Sequence, residues 1–241
     1  MIAKSIKYFT PVNIASILLC LIPFSLLTGP FLPDLLVSII GLIFLVDVIN
    51  KKKFSYLKNN FFYIALLFYI YILLRSLLSV DPYLSLESSL FYFRFFLFAL
   101  AVWYLLDSND KLLKNFTLVF LVSFIFALFD GYYQFFNDTN LYGISSPSER
   151  MSLVFNDKLI LGGYLSRLFP LLIGLILLNF KNNYLNILLF CSLLIFTDIL
   201  IFITGERTAL ALLFLSSAFI IIFISKYKLI RLLTIIISLT S

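Results

Sequence analysis

The chain has 241 residues, of which 62% are hydrophobic and only 12% are charged, and its mean hydropathy is +1.08. A soluble domain is roughly 45–50% apolar and about 25% charged, so this composition excludes an ordinary soluble fold. The net charge of +6 would suit a nucleic-acid-binding protein, but the lysines stand in short segments between hydrophobic runs. That pattern is typical of membrane topology signals, so no nucleic-acid partner is expected.

Apolar stretches of membrane-helix length follow one another along the chain. The first is longer than the apolar part of a signal peptide and no small-residue cleavage site follows it, so we interpret it as a retained span. The last is too short to cross a bilayer, so it is either an interfacial tail or part of a ninth span at which the sequence stops, and we favour the second interpretation. The sequence therefore predicts a single all-α integral-membrane domain over residues 1–241, a polytopic transmembrane helical bundle with about eight complete spans plus a partial ninth, forming the N-terminal portion of a longer fold. The stretches are 12–28, 34–49, 61–79, 88–106, 116–136, 162–180, 186–203, 209–225 and 229–239.

The lysines predict the orientation of these spans. If the spans alternate in direction, every lysine except Lys158 falls on one side of the membrane. The positive-inside rule makes that side the cytoplasm and places the N-terminus there. The outer face then carries one connection longer than a tight turn, residues 137–158, and long connections are where function tends to lie. The lysines on the inner side are Lys4, Lys7, Lys51, Lys52, Lys53, Lys58, Lys111, Lys114, Lys181, Lys226 and Lys228.

The arginines are distributed differently from the lysines. Only Arg231 falls in a predicted cytoplasmic connection. At ~1.5 Å per residue, three arginines and Asp198 lie roughly 7–10 Å below the outer boundary. A charge at a helix centre costs ~2.5–3.5 kcal/mol on insertion scales, so each of these charges should have a partner or a water-filled cavity. Arg167 and Asp198, on neighbouring stretches, are therefore candidates for an ion pair. The arginines of this layer are Arg75, Arg94 and Arg167, and Arg150 and Arg207 lie just above it in the outer loops.

Two interpretations of the arginine layer stay open. Each arginine could extend its head to the outer interface or form a structural ion pair. As a set, the arginines favour a shared anion site, because a guanidinium is always charged and its planar donor fork suits phosphate oxygens. The layer therefore predicts a phosphorylated, lipid-linked ligand.

Two segments carry a resemblance to a known family. The first begins with Gly-Tyr-Tyr-Gln at 131–134 and continues through Arg-Met-Ser and Phe-Asn-Asp to Leu-Gly-Gly-Tyr-Leu at 161–165. The second is Thr-Gly-Glu-Arg-Thr-Ala-Leu at 204–210. Together they resemble the O-antigen ligase and O-antigen polymerase family of bacterial inner-membrane glycosyltransferases, in which a Gly-x-Arg-Ser/Thr turn opens a span. The resemblance is best over 130–215, and Arg94 between two phenylalanines is also similar to the family.

The resemblance implies a multi-pass protein of the bacterial inner (cytoplasmic) membrane, with residues 137–158 as a periplasmic loop. Its activity would be transfer or polymerisation of an undecaprenyl-diphosphate-linked glycan, with lipid A core or another glycan as acceptor and no cofactor. A metal-independent glycosyltransferase is consistent with the absence of histidine and of carboxylates at metal-ligand spacing in the sequence. The residues implied to bind the diphosphate are Arg207, Arg150, Arg94, Arg167 and Arg75, and those implied to support the site are Asp198, Glu206 and Tyr164.

The departures from the family pattern leave the catalytic base open. Ligases of this family use a histidine in a large later periplasmic loop, which this sequence lacks. Either the base lies beyond residue 241, or a polymerase-like member uses another group. Glu149, Asp157 and Glu206 are candidates, although each is also explained as the partner of a neighbouring cation. Two further interpretations stay open: a non-enzymatic transporter or flippase of an anionic lipid-linked substrate, and an inert fragment that lacks the catalytic loop.

Overall fold

The computed structural model describes residues 10–141, 143, 161–179, 184–223 and 228–240, and within these ranges the chain is all-helical. Its helices follow the predicted apolar stretches, because a long apolar run satisfies its backbone hydrogen bonds internally as a helix. The elements are α1 (Pro11–Ser25), α2 (Phe31–Asn50), a 3₁₀ turn (Phe54–Leu57), α3 (Asn60–Leu77), α4 (Pro82–Leu90), α5 (Phe93–Ser108), α6 (Leu112–Asn137), α7 (Leu161–Asn179), α8 (Tyr184–Ile203), α9 (Arg207–Phe223) and α10 (Lys228–Thr240).

Six helical segments in the described ranges are long and apolar enough to cross a membrane. Two shorter apolar helices, α1 and α9, have 15 and 17 residues. The prediction of an all-helical chain with long apolar helices is confirmed, whereas the number of eight complete spans and their orientation stay predictions. The six segments are Phe31–Asn50, Asn60–Leu77, Pro82–Ser108, Leu112–Asn137, Leu161–Asn179 and Asn186–Ile203.

The structure differs from the sequence prediction between the third and fourth stretches. The gap between the apolar stretches 61–79 and 88–106 predicts an outer loop over 80–87, but α4 begins at Pro82. Asp81 caps this helix by accepting a hydrogen bond from the backbone N–H of Leu84, and Pro82 fills the first helical position. An aspartate cap followed by proline is a strong start signal, and it outweighs the polar composition of the segment.

The chain divides into two compact units of helices, the first built from the described parts of 1–22 and 30–112, the second from those of 23–29 and 113–241. In the first unit α2 packs on α5 and α3 packs on α4. In the second unit α7 packs against α8 and α9, and α10 packs against α8 and α9. The interior of the second unit includes Phe124, Phe169, Leu172, Leu194 and Leu200. The single integral-membrane domain over 1–241 stays a prediction.

A polar cluster in the first unit joins the end of α2 to α5. The buried Asp47 carboxylate accepts a hydrogen bond from Lys51 Nζ at 2.7 Å and another, on the same oxygen, from the hydroxyl of Tyr104. The bond to Asp47 raises the pKa of Lys51, which lies just beyond the end of α2. A buried carboxylate is stable here because it is both paired and hydrogen-bonded.

Candidate functional site

The two segments that carry the resemblance meet in the second unit. Helix α7 begins at Leu161, and the turn from Thr204 to Glu206 connects α8 to α9. The Oε1 atom of Glu206 accepts a hydrogen bond of 3.0 Å from the backbone N–H of Gly162, in the first turn of α7. The first N–H groups of a helix have no partner within it, and a negative charge is favoured there. Glu206 therefore caps α7, and we call this contact the Gly162–Glu206 junction.

The junction leaves no room for a side chain at residue 162. A Cβ there would lie 2.6 Å from Thr204 Oγ1 and 3.0 Å from the carboxyl carbon of Glu206. Thr204 is 1% exposed, and its hydroxyl donates to the carbonyl of Ile201 at 2.7 Å, so it cannot move aside easily. Gly205 has a φ of +68°, a conformation that favours glycine. Both glycines are thus explained by the geometry of one contact.

Arg207 follows the junction directly as the first residue of α9. Its side chain is exposed, and it forms no ion pair with any residue of the described ranges. The N-terminal amides of a helix also favour an anion, and a guanidinium adds a charged donor fork. The start of α9 can therefore hold an anionic group such as a phosphate.

Arg167 lies on the border of an apolar groove between α7 and α9. Its side chain is exposed, and the groove has a volume of about 710 Å³. The space beside Gly174 is open, since a Cβ there would meet no atom within 4 Å. A groove of this kind suits a hydrocarbon chain that carries an anionic head. The lining includes Pro170, Ile173 and Gly174 of α7 and Leu215, Ser216 and Phe219 of α9.

The expected ion pair between Arg167 and Asp198 is wrong, because Asp198 is bound by Arg231. The Nη1 and Nη2 atoms of Arg231 donate to the two carboxylate oxygens of Asp198 at 2.6 and 2.9 Å. Arg231 also donates from Nε to Ser217 Oγ at 3.1 Å, and it is only 1% exposed. Two parallel bonds to one carboxylate satisfy the guanidinium fork far better than a single distant contact would. Asp198 is therefore a structural partner of Arg231.

Arg231 was also expected in a cytoplasmic connection, and this prediction is wrong as well. It lies one turn into α10, bound to groups on α8 and α9. At ~1.5 Å per residue, Asp198 lies roughly 7–8 Å and Ser217 roughly 15 Å from the turn that joins these two helices. The guanidinium is therefore held within the helix bundle, between those two levels. The sequence signal available for this pair was a carboxylate inside an apolar span, which needs a buried cation.

The remaining predicted residues have separate surroundings. Arg94 belongs to the first unit, where its Nη2 donates to Asp34 Oδ2 at 2.8 Å. For Arg94, therefore, the structure shows the ion pair that was the alternative to a shared anion site. Arg75 is exposed in the last turn of α3, also in the first unit. Tyr164 is buried and donates its hydroxyl to the carbonyl of Pro23 at 3.2 Å, which gives it a packing role. Arg150 lies outside the described residues, as do Glu149, Asp157 and most of the predicted loop 137–158.

One buried acid near the junction was not predicted. Asp130, near the end of α6, is fully buried, and its Oδ1 accepts a hydrogen bond of 2.9 Å from the backbone N–H of Leu141. Its Oδ2 is buried without a hydrogen-bond partner among the residues that the structure describes. The sequence did hold a signal for it, since an ionisable residue inside an apolar span is a functional-site hypothesis by default.

Within the described ranges, no three histidine, cysteine, aspartate or glutamate side chains come together in a way that could hold a metal ion. The candidate site thus consists of the Gly162–Glu206 junction, Arg207 at the start of α9, and the groove bordered by Arg167. Comparisons with models of known protein families, with characterised proteins and with solved structures find no match to this chain.

Proposed function

We propose that this protein transfers or polymerises a glycan carried on undecaprenyl diphosphate, at the periplasmic face of a bacterial inner membrane, as a member of the O-antigen ligase and polymerase family. The observation that supports this most is the Gly162–Glu206 junction, which joins the two segments of the resemblance across 44 residues of sequence. It brings the Leu-Gly-Gly-Tyr-Leu segment against the turn that precedes Arg207.

The chemistry needs a group that stabilises a leaving diphosphate. An acceptor hydroxyl attacks the anomeric carbon of the carried sugar, and the bond from that carbon to the diphosphate oxygen breaks. Positively charged donors that already point at the leaving diphosphate stabilise the charge that develops on it in the transition state. They lower the activation barrier because they need not reorient during the reaction. Arg207 supplies such a donor, and the groove beside Arg167 can take the hydrocarbon chain of the carrier. Lipid A core or another glycan repeat is the proposed acceptor.

Replacing Arg207 with alanine is expected to lower surface polysaccharide at least tenfold, because the diphosphate loses a charged donor. Lysine at this position keeps the charge but loses the planar fork, so an intermediate loss is expected. The measurement is surface polysaccharide per cell, at equal levels of membrane-inserted protein. Lys114→Ala serves as the matched control. It removes an exposed cation from the same unit, in the first turn of α6 and thus at the opposite end of that helix from Asn137. Normal polysaccharide from Arg207→Ala cells would refute the diphosphate assignment.

A second candidate function, a non-enzymatic transporter or flippase of an anionic lipid-linked substrate, is favoured by the buried pair of Asp198 and Arg231. Ionisable residues inside membrane helices often mark a substrate or proton pathway. The location of the accumulated substrate in Arg207→Ala cells separates the two functions. A transferase defect leaves the lipid-linked glycan at the periplasmic face, whereas a transport defect leaves it at the cytoplasmic face.

A further inference from the structure

An apolar groove of about 260 Å³ lies between α3 and α5 in the first unit. Among the described residues that line it, only Tyr69 has a polar side-chain atom, and that hydroxyl already donates to the carbonyl of Leu90 at 2.8 Å. The groove therefore offers aromatic rings and hydrocarbon to a ligand, which suits an acyl chain. The lining includes Phe62, Leu66 and Tyr69 of α3 and Phe93, Phe96 and Leu100 of α5.

A basic turn, residues 51–58, connects α2 to α3 and contains four lysines and no acid. Lys51 is paired with Asp47 at 2.7 Å. The other three lysines are exposed, and they form no ion pair with any residue of the described ranges. The turn therefore keeps positive charge available to an anionic ligand. The three unpaired lysines are Lys52, Lys53 and Lys58.

Contacts within the first unit place the basic turn at the Phe62 end of the groove. The side chain of Asn59 accepts a hydrogen bond from the backbone N–H of Phe62 at 2.8 Å and donates another to the carbonyl of Tyr56 at 2.6 Å. The ring of Tyr56 lies 5.1 Å from that of Tyr104 on α5, and Lys53 Nζ lies 5.5 Å from the same Tyr104 ring. Since a lysine has a flexible four-carbon stem, the ammonium groups can meet a headgroup whose chain enters the groove.

The aromatic residues beside the turn fit the level of lipid headgroups. Trp103 is exposed, and its ring lies 5.4 Å from that of Tyr56. Tryptophan and tyrosine are enriched where a bilayer meets water. The hydroxyl of Tyr56 also donates to Asp107 at 3.0 Å. One carboxylate thus stands against three unpaired lysines, and the net charge of this surface stays positive.

We infer that the groove binds an acyl chain of an anionic phospholipid, whose phosphate lies on the ammonium groups of the basic turn. A zwitterionic phospholipid suits the turn less well, because it brings its own ammonium group toward the lysines. A second copy of the chain in the same membrane orientation would bring its own basic turn to the same level, where like charges repel. The site belongs to the first unit and does not depend on the proposed glycan transfer.

The test compares dioleoylphosphatidylglycerol with dioleoylphosphatidylcholine, two lipids with identical acyl chains, bound to the purified full chain in detergent and counted by native mass spectrometry. The wild type is expected to prefer phosphatidylglycerol. Each lysine strengthens the binding of anionic lipid about fivefold, so Lys53→Gln combined with Lys58→Gln should weaken the binding of phosphatidylglycerol about 25-fold. The matched control, Lys114→Gln combined with Lys228→Gln, makes the same charge change at exposed lysines of the second unit and should bind both lipids as the wild type does.

A pair of tryptophan variants tests the groove itself. Leu66 lines the groove from an exposed position, so Leu66→Trp should keep the melting temperature and weaken the binding of both lipids about tenfold, since it removes apolar space for the chain. The next residue, Leu67, is exposed and is not part of the lining. Leu67→Trp should therefore bind both lipids as the wild type does.

Several outcomes would overturn the inference. Equal binding of the two lipids by the wild type, or an equal loss in the lysine control, shows that the basic turn does not select the headgroup. Unchanged binding by Leu66→Trp, or an equal loss in Leu67→Trp, shows that no acyl chain occupies the groove. A wild-type dimer that Leu66→Trp dissociates shows that a second copy covers the groove instead. Unfolding of the Lys53→Gln and Lys58→Gln double variant before lipid is added shows that these side chains support the fold rather than a lipid.

Discussion

Asp198→Ala is expected to lower the free energy of unfolding by about 3–5 kcal/mol, the largest stability effect that we predict. The substitution leaves the guanidinium of Arg231 buried without its carboxylate, beside Ser217 and the ring of Phe169, which lies 5.6 Å from the guanidinium carbon. An uncompensated charge in a helix bundle is more unfavourable than the loss of one hydrogen bond. The measurement is thermal or denaturant-induced unfolding of the purified protein in detergent.

A double-mutant cycle tests the cause of that loss. Its corners are the wild type, Asp198→Leu, Arg231→Met and the double variant, which removes both charges and keeps apolar volume, so the double variant should be much less destabilised than Asp198→Leu alone. If the single and double variants unfold at the same point, the two charges are not coupled, and the pairing is wrong.

Gly162→Ala is expected to lower the free energy of unfolding by about 1–3 kcal/mol, the range found for overpacked interiors. Its added methyl would contact Thr204 Oγ1 and the Glu206 carboxyl group, so the cap on α7 would be displaced together with the turn that carries Arg207. Surface polysaccharide should therefore fall as well, although residue 162 itself carries no functional group.

Gly163→Ala is the matched control for this prediction. A Cβ at residue 163 would lie 3.5 Å from the nearest atom, Glu206 Oε2, which is an ordinary contact. Alanine is also a better helix former than glycine by roughly 0.5–1 kcal/mol. Stability equal to or above the wild type is expected for Gly163→Ala. Equal destabilisation by both alanines would show that the close contact at residue 162 does not exist.

The apolar stretches predicted the helices well because the local signal is strong. The stretch 162–180 corresponds to Leu161–Asn179 and the stretch 186–203 to Tyr184–Ile203. A long apolar run has few alternatives to a helix, since its backbone groups must bond within the segment. The start of α4 was missed because its cap, Asp81 followed by Pro82, is a local signal that hydropathy does not contain.

The side-chain partners were harder to predict. Counting residues places Asp198 at a depth, but it does not determine how α7, α8 and α10 are rotated about their axes. Arg167 and Arg231 were therefore both available to Asp198, and only packing decides between them. The family resemblance marked Gly162 and Glu206 as parts of two separate segments. No sequence feature indicates that the Glu206 carboxylate caps the helix whose first turn contains Gly162.

The charge buried on α10 constrains how the protein is assembled during synthesis. Arg231 adds an insertion penalty of ~2.5–3.5 kcal/mol when the helix enters lipid alone. In a membrane-inserted chain, the translocon should therefore release α10 into lipid together with α8 and α9, so that the carboxylate of Asp198 neutralises the guanidinium as it leaves the channel.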